Sequence, residues 1–178
     1  NRRDLLLNRC QLVICLFQQN RREEARALLE EIDDKQFEAF PYLVTMRTRV
    51  HLAEQFSIGD AEAGKKAIEL CERGLQECRD MDELRYFNCL FRVRRTESYL
   101  IANRHCDLRK EHWANLERRL RPFPQLRFDL KLLKLRWMAE MGEESLVKLN
   151  AEKLLKRPEC RESHRLQISE LVETFTVR

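Results

Sequence analysis

Hydrophobic residues recur at helical spacing along almost the whole chain. Apolar side chains return every three or four positions, which is the repeat of an amphipathic α-helix. Leu12 and Leu16 show this spacing near the start, and Leu126, Leu130 and Leu133 show it later. No segment alternates apolar and polar residues over the length of a convincing β-strand. The pattern therefore predicts an all-α protein.

Short polar breaks divide this pattern into pairs of helices. The breaks within pairs are predicted at Gln19–Arg21, Ser57–Asp60, Asn103–Arg104 and Met141–Gly142. The breaks between pairs are predicted at Asp33–Lys35 with Pro41 beyond, Arg79–Asp80 and Pro122–Pro124. Glycine and asparagine favour helix ends and proline cannot continue a helix, while Asp60 and Asp107 are suited to helix N-termini. We predict four helical hairpins, at about residues 4–34, 40–79, 82–121 and 124–157, and a terminal helix at 161–175.

The second helices of these hairpins repeat at a nearly regular interval. Aligning them on Ala25, Ala67, Leu108 and Leu146 gives steps of 42, 41 and 38 residues. A period of 20 to 50 residues is typical of helical repeat proteins, in which each unit buries its apolar surface against its neighbours. The segment "LVICLF" is apolar on nearly every side, so we expect it to need neighbours on two sides.

The segment "NRREEARALLEEI" and the helix before it resemble a tetratricopeptide repeat. Leu12 stands at the family's Leu position, Val13 at its small-residue position and Leu16 at its aromatic position. Ala25, Leu29 and Ile32 stand at the three second-helix positions. The resemblance is strongest over residues 5–34, weak over 40–120 and nearly lost after 122.

Other positions depart from the family pattern. Arg9 and Val13 occupy the early Trp and Gly positions, and Arg47 and Arg95 occupy the Leu position of the second and third units. About eight extra residues separate the helices of the second unit. The resemblance implies a single domain, residues 1–178, that forms a right-handed α-solenoid of about four irregular hairpins capped by the terminal helix. A HEAT-like array and an irregular helical bundle are the alternatives.

Composition narrows the class of protein. Only four glycines and four prolines occur, and 36% of the residues are charged, as expected for long surface helices. No run of eighteen apolar residues and no signal peptide is present. The seven cysteines are odd in number and lie among apolar residues, which favours reduced thiols in a cytoplasmic or nuclear protein. Because the sequence begins without Met, we expect it to be part of a larger protein.

The sequence offers little for catalysis or for cofactors. It contains no P-loop, GxSxG, HExxH or dinucleotide-binding motif. His105, Cys106 and His112 are the candidates for a nucleophile–base pair or a metal site, but their spacing suits neither. We expect a turn histidine and packed cysteines, no metal, no cofactor and no enzymatic activity.

The resemblance implies a partner-binding groove lined by the first helices. The residues that it assigns to this groove are Cys10, Ile14, Phe17, Thr45, Arg49, Leu52, Val93, Glu97 and Leu100. The Lys and Asn pattern by which some members of the family clamp a carboxylate is absent, so the resemblance implies a hydrophobic or helical partner segment. Phe17 and an Arg from 92 to 95 are the expected anchors. The alternative is that Ile14 and Phe17 are buried against another part of the protein.

A basic patch is the second candidate site. Its members are Arg92, Arg94, Arg95, Arg118, Arg119, Arg121, Arg127, Lys131, Lys134 and Arg136. Phe123 and Phe128 are interleaved, a mixture that suits phosphate binding and base stacking. A solvated helix face or an acidic protein partner explains the same charges, and the net charge of +4 is mild. We therefore expect a non-enzymatic protein-interaction module, a scaffold segment of a multi-subunit complex, with nucleic-acid binding as the alternative.

Overall fold

The computed structural model describes residues 2–39, 41–79 and 81–175, and all regular structure in this part of the chain is helical. Three short 3-10 helices span Asp34–Ala39, Asp82–Leu84 and His105–Asp107. The α-helices are α1 (Arg2–Gln18), α2 (Arg22–Glu30), α3 (Pro41–Ile58), α4 (Ala61–Glu77), α5 (Arg85–Ile101), α6 (Lys110–Arg119), α7 (Pro124–Glu140), α8 (Glu144–Leu155) and α9 (Glu162–Glu173). The all-α prediction is confirmed. Phe40, the predicted start of the second hairpin, and Asp80, in a predicted break, lie outside the described residues.

At each of the four predicted short breaks, a residue in the left-handed backbone conformation follows the end of the helix. The residues with positive φ are Asn20 (62°), Gly59 (74°), Asn103 (56°) and Gly142 (75°). At Asn103 the chain reverses so tightly that Arg104 N donates to Tyr99 O at 2.8 Å. This bond spans five residues and satisfies a carbonyl that the helix leaves open at its C-terminus.

Of the two aspartates predicted at helix N-termini, one caps its helix and the other does not. Asp60 is the N-cap of α4, and its side chain accepts a hydrogen bond from Ala63 N at 2.7 Å, as predicted. Asp107 instead ends the 3-10 helix before α6, and the N-cap position of α6 is occupied by Arg109. The intervening residues 108 and 109 separate Asp107 from the helix that it was expected to start.

The chain forms two compact units, Asn1–Arg104 and His105–Arg178, which we call the N-terminal and the C-terminal unit. In the N-terminal unit α1 packs on α2 and α3, α3 packs on α4, and α4 packs on α5. Phe17, Ala25 and Val50 lie in one buried cluster, and Cys71 and Phe91 lie in a second.

In the C-terminal unit α7 packs on α6, α8 and α9, and α8 packs on α9. Its buried cluster includes Phe128, Leu135, Val147 and Ile168. The terminal helix predicted at 161–175 is therefore present as α9. The boundary between the units lies inside the third predicted hairpin, 82–121, and the single domain stays a prediction.

The alignment of the second helices holds for two of its four positions. Ala25 and Ala67 are completely buried. Leu108 is buried but precedes α6, and Leu146 is 44% exposed while Val147 beside it is buried. One residue rotates the helix face by about 100°, so a shift of a single position exchanges a core residue for a surface residue.

Candidate binding surfaces

Most residues assigned to the groove lie in the core of the N-terminal unit. Seven of the nine are buried, with exposed fractions between 0% and 6%: Cys10, Ile14, Phe17, Thr45, Leu52, Val93 and Leu100. Cys10, Ile14 and Phe17 share a cluster with Leu43 and Val50 of α3. These side chains therefore do not line an open groove. For Ile14 and Phe17 this burial agrees with the stated alternative, whereas a partner-binding groove elsewhere on the first helices stays a prediction.

The remaining two groove residues are half-buried and already have neighbours. The Arg49 guanidinium lies over the ring of Phe87, 5.3 Å from its centroid, and burial lowers the pKa of Arg49. Glu97 accepts a hydrogen bond from Arg94 Nη1 at 2.6 Å. Both are polar side chains held in place by contacts within the unit.

The three arginines of the basic patch that lie in α5 form contacts with neighbouring side chains of the N-terminal unit. Arg94 pairs with Glu97 and lies 5.7 Å from the ring centroid of Phe56. Arg95 Nη1 lies 3.7 Å from Glu72 Oε1, and Arg92 Nε donates to Asn88 Oδ1 at 2.9 Å. These three arginines therefore support packing within the N-terminal unit.

The second part of the patch belongs to the C-terminal unit. The exposed members are Arg118, Arg119, Arg121 and Arg127. Arg136 is half-buried, and its Nε lies 3.9 Å from Glu140 Oε1. Lys131 and Lys134 are also half-buried and face a cavity.

That cavity, which we call the basic pocket, has a volume of about 220 Å³. It is lined by Glu117 of α6, by Lys131, Lys134, Leu135 and Met138 of α7, and by Asn150, Lys153, Leu154 and Arg157 in and after α8. Lys131 and Lys134 were predicted from the sequence, whereas Lys153 and Arg157 were not. The available signal was the group of three cations, Lys153, Lys156 and Arg157, at the end of α8 and in the turn after it.

A second cavity, which we call the N-terminal cavity, has a volume of about 390 Å³. Its apolar lining consists of Leu29, Ile32, Phe37 and Val50, and its polar lining of Arg26, Glu30, Arg47, His51 and Glu54. Arg26 Nε donates to Glu54 Oε1 at 2.8 Å, which ties α2 to α3 at the edge of the cavity. Leu29 and Ile32 were predicted as second-helix positions of the repeat pattern. The cavity that they line was not predicted from the sequence.

The expectation of packed cysteines holds for Cys10, Cys71 and Cys78, which are buried, but not for Cys106, the thiol of the candidate pair, which is exposed. Burial raises the pKa of Cys71 to about 12 and that of Cys10 and Cys78 to about 11, which keeps these thiols protonated at neutral pH. His105 lies in a 3-10 helix, and its carbonyl oxygen accepts a hydrogen bond from Trp137 Nε1 at 3.0 Å. It is a turn histidine, as expected.

A metal site or a membrane-spanning helix would identify a class of protein. Within residues 2–39, 41–79 and 81–175, no group of three His, Cys, Asp or Glu side chains is arranged to hold a metal ion. Over the same residues, no helix combines the length and the apolar composition that crossing a membrane requires. No family model, no curated protein and no solved structure matches the chain.

Proposed function

We propose that this chain is a non-enzymatic protein-interaction module, built as a tetratricopeptide-like right-handed α-solenoid within a larger intracellular complex. The order of helix packing in the N-terminal unit supports the repeat architecture. There α1 packs on the next first helix, α3, as well as on its own partner, α2. Stacked repeats bury their apolar faces in this way. All seven cysteines are free, which supports a reducing compartment.

The observation that carries the proposal is the N-terminal cavity. Its apolar floor is formed by Leu29, which is half-buried, and by the buried Ile32, Phe37 and Val50. Apolar cavities with a few convergent polar groups are the usual binding places on proteins. A volume of about 390 Å³ accommodates one large aliphatic or aromatic side chain and its immediate neighbours.

The charged rim suits a protein segment as the occupant. Arg26 and Glu54 form an ion pair across the rim, and Glu30 and Arg47 add one charge of each sign. Rim charges of both signs set the orientation and specificity of a partner more than its affinity. A partner helix or extended segment would insert an apolar anchor between α2 and α3 and contact these charges with its flanking residues.

A cavity-filling substitution tests this proposal. Leu29→Trp adds bulk to the floor without burying a charge, whereas Leu149→Trp adds the same bulk on α8, where Leu149 is 48% exposed. Affinity purification with quantitative mass spectrometry should recover the same partners with the wild type and Leu149→Trp. Leu29→Trp should lose at least one of them while its circular dichroism spectrum stays helical. Identical partner sets for all three proteins would contradict the proposal.

The exposed arginines of the C-terminal unit support nucleic-acid binding as a second candidate. Residues 105–178 contain 16 Lys and Arg against 12 Asp and Glu, whereas residues 1–104 contain 18 of each. The whole excess charge of +4 thus belongs to the C-terminal unit. Retention of labelled RNA or DNA at about 50 mM salt, lost steeply as salt rises, would support this function. No retention at about 50 mM salt would reject it.

A further inference from the structure

The basic pocket concentrates positive charge between two helices. Lys131 and Lys134 come from α7, and Lys153 and Arg157 come from α8 and the turn after it. Among the described residues of the lining, Glu117 is the one carboxylate, so four cations and one anion give this lining a net charge of +3. Like charges held this close repel one another, and a bound anion relieves the repulsion.

These four cations have no close ion-pair partner in the part of the chain that the structure describes. Among the residues that the structure describes, none of them forms an ion pair within 4.0 Å or a side-chain hydrogen bond. Neighbouring cations on the same helices do pair: Arg136 with Glu140 at 3.9 Å, and Lys148 with Glu144 at 2.5 Å. Burial lowers the pKa of Lys131, the nearby Arg157 and Arg127 lower it further, and the carboxylates of Glu117 and Glu159 act in the opposite direction. The cations of the pocket are thus available to an external anion.

The floor of the pocket is apolar. Leu135 and Leu154 are buried, and Met138 lies half-buried beside them. Asn150 lies at the wall, where its Nδ2 donates to Leu146 O at 2.7 Å and lies 3.9 Å from Met138 Sδ. The volume of about 220 Å³ is below the range of drug-sized pockets, so the ligand is one charged group with a short apolar stem.

A doubly charged anion matches this pocket better than a singly charged one. A phosphate monoester carries a charge of about −1.5 to −2 at neutral pH and three strong acceptor oxygens. A carboxylate or a phosphodiester carries only one negative charge. Aromatic side chains are absent from the lining that the described residues form, so these residues offer no platform for the base stacking on which single-stranded nucleic-acid binding depends.

We propose that the basic pocket binds a phosphate monoester on an apolar stem, presented by a phosphorylated side chain of a protein partner. The identity of the partner as a protein rests on the proposed function. Arg157 donates to two phosphate oxygens at once, as guanidinium groups do. The lysines contribute as point charges, and the stem lies on Leu135, Met138 and Leu154.

Met138 provides a direct test in the whole chain. The chain has four methionines, and Met138→Leu assigns the Met138 methyl signal in a protein with ¹³C-labelled methionine methyl groups. Phenyl phosphate is the probe, and phenyl sulfate is the singly charged control of nearly the same shape. We expect phenyl phosphate to shift the Met138 signal in a saturable way, and to bind at least about threefold more tightly than phenyl sulfate. No shift, or equal affinity for both anions, would overturn the proposal.

Matched variants tie the binding to the pocket. Lys134→Gln with Arg157→Gln should weaken phenyl phosphate at least about tenfold, because two charged hydrogen bonds are removed. Lys110→Gln with Arg165→Gln removes the same charge from exposed positions on α6 and α9 and should leave the affinity unchanged. Lys134→Arg with Arg157→Lys retains both charges but loses the two-point contact of Arg157, so it should bind more weakly than the wild type and more tightly than Lys134→Gln with Arg157→Gln. Equal losses in the pocket and control variants would show nonspecific attraction and overturn the proposal.

Competition then identifies the source of the phosphate. A phosphoserine peptide flanked by leucines should displace phenyl phosphate more effectively than inorganic phosphate, and its unphosphorylated form should not displace it. Stronger displacement by a 5′-phosphorylated hexathymidine would assign the pocket to nucleic acid and overturn the protein partner. Leu29→Trp changes only the N-terminal cavity, so failure of the proposed function leaves these titrations unaffected.

Discussion

Leu12 and Phe17 lie on different sides of α1, and only Phe17 is buried. The resemblance places Leu12 at the family's Leu position and Phe17 in the groove, yet Leu12 is 51% exposed and Phe17 only 1%. The helix has apolar residues on nearly every side, so its pattern does not select a buried face. Packing against α3 determines which face of α1 is buried, and the sequence of α1 alone does not predict that face.

Alanine substitutions at these two positions should differ widely in their effect on stability. Phe17→Ala opens a cavity in the core and should reduce the free energy of unfolding by about 3–5 kcal/mol. Leu12→Ala removes an exposed side chain and should change it by less than about 0.5 kcal/mol. Urea denaturation followed by circular dichroism measures both. Similar losses for the two variants would show that the buried face of α1 is assigned incorrectly.

Glu77 and Thr48 form a half-buried contact that makes stability depend on pH. Thr48 Oγ1 lies 2.9 Å from Glu77 Oε1 and 2.8 Å from Oε2, and donates its hydrogen to this carboxylate. Burial raises the pKa of Glu77 above its ordinary value of 4.5, despite the hydrogen bond and the attraction of Arg73 and Arg47. The folded state therefore binds this proton more tightly than the unfolded state. The resulting stabilisation is complete below pH 4.5 and is lost as the pH rises through the raised pKa.

Glu77→Gln should remove this dependence. Its amide oxygen still accepts from Thr48 and does not ionise, so the variant should gain stability relative to the wild type between pH 4.5 and neutral pH. Denaturation at several pH values measures the difference. Glu69→Gln, at an exposed position on the same helix, controls for the loss of one negative charge. A difference that stays constant or shrinks with rising pH would contradict the assignment.

Half of the cationic wall of the basic pocket was predictable from the sequence. Lys131 and Lys134 belong to a basic run that is visible along α7. Lys153 and Arg157 follow at a distance in the chain, in a separate short basic segment, and only the packing of α8 on α7 brings them to the same pocket. A cluster of charges within one helix is visible in the sequence, whereas a cluster that forms between two helices depends on how they pack.

At the scale of the element, helix ends were predicted better than helix faces. Each predicted short break contains a residue with positive φ, because asparagine and glycine tolerate this conformation and other residues resist it. This preference is local, so the sequence reveals it. The burial of Leu6 beside the exposed Leu5 depends instead on neighbours elsewhere in the chain.

The contact between α4 and α5 depends on a glycine. A Cβ atom at Gly64 would lie 2.5 Å from Ala102 N and 2.8 Å from Ala102 Cα, and these backbone atoms cannot move independently of the helix. Gly64→Ala should therefore destabilise the protein by about 2 kcal/mol or more, despite the roughly 1 kcal/mol that alanine gains in a helix. Thermal denaturation followed by circular dichroism measures the loss.

Gly142→Ala is the matched control. Its φ of 75° makes alanine unfavourable by about 1 kcal/mol. No atom lies within 4 Å of the added Cβ, so no clash follows. Gly64→Ala should lower the melting temperature more than Gly142→Ala. A Gly64→Ala protein as stable as the wild type would show that the helices are not in this close contact.

At the scale of the whole molecule, the repeat pattern does not mark the boundary between the units. The period near 40 residues runs through position 104 without interruption, yet the N-terminal unit ends there. Each unit contains its own buried cluster, with Phe17 and Phe91 in one unit and Phe128 in the other. A repeat period reports the spacing of helices, whereas unit boundaries depend on how densely those helices contact one another.

The two tryptophans make the cooperativity of unfolding measurable. Trp113 and Trp137 are both in the C-terminal unit, with ring centroids 5.6 Å apart, so tryptophan fluorescence, excited at a wavelength that tyrosine does not absorb, follows that unit alone. Cys71 is buried in the N-terminal unit, and its alkylation follows that unit. Because smaller units bury a smaller fraction of their surface, we expect the fluorescence change at a lower urea concentration than the exposure of Cys71. Coincident transitions would contradict this expectation and would support one cooperative domain over residues 1–178, because different probes then report a single equilibrium.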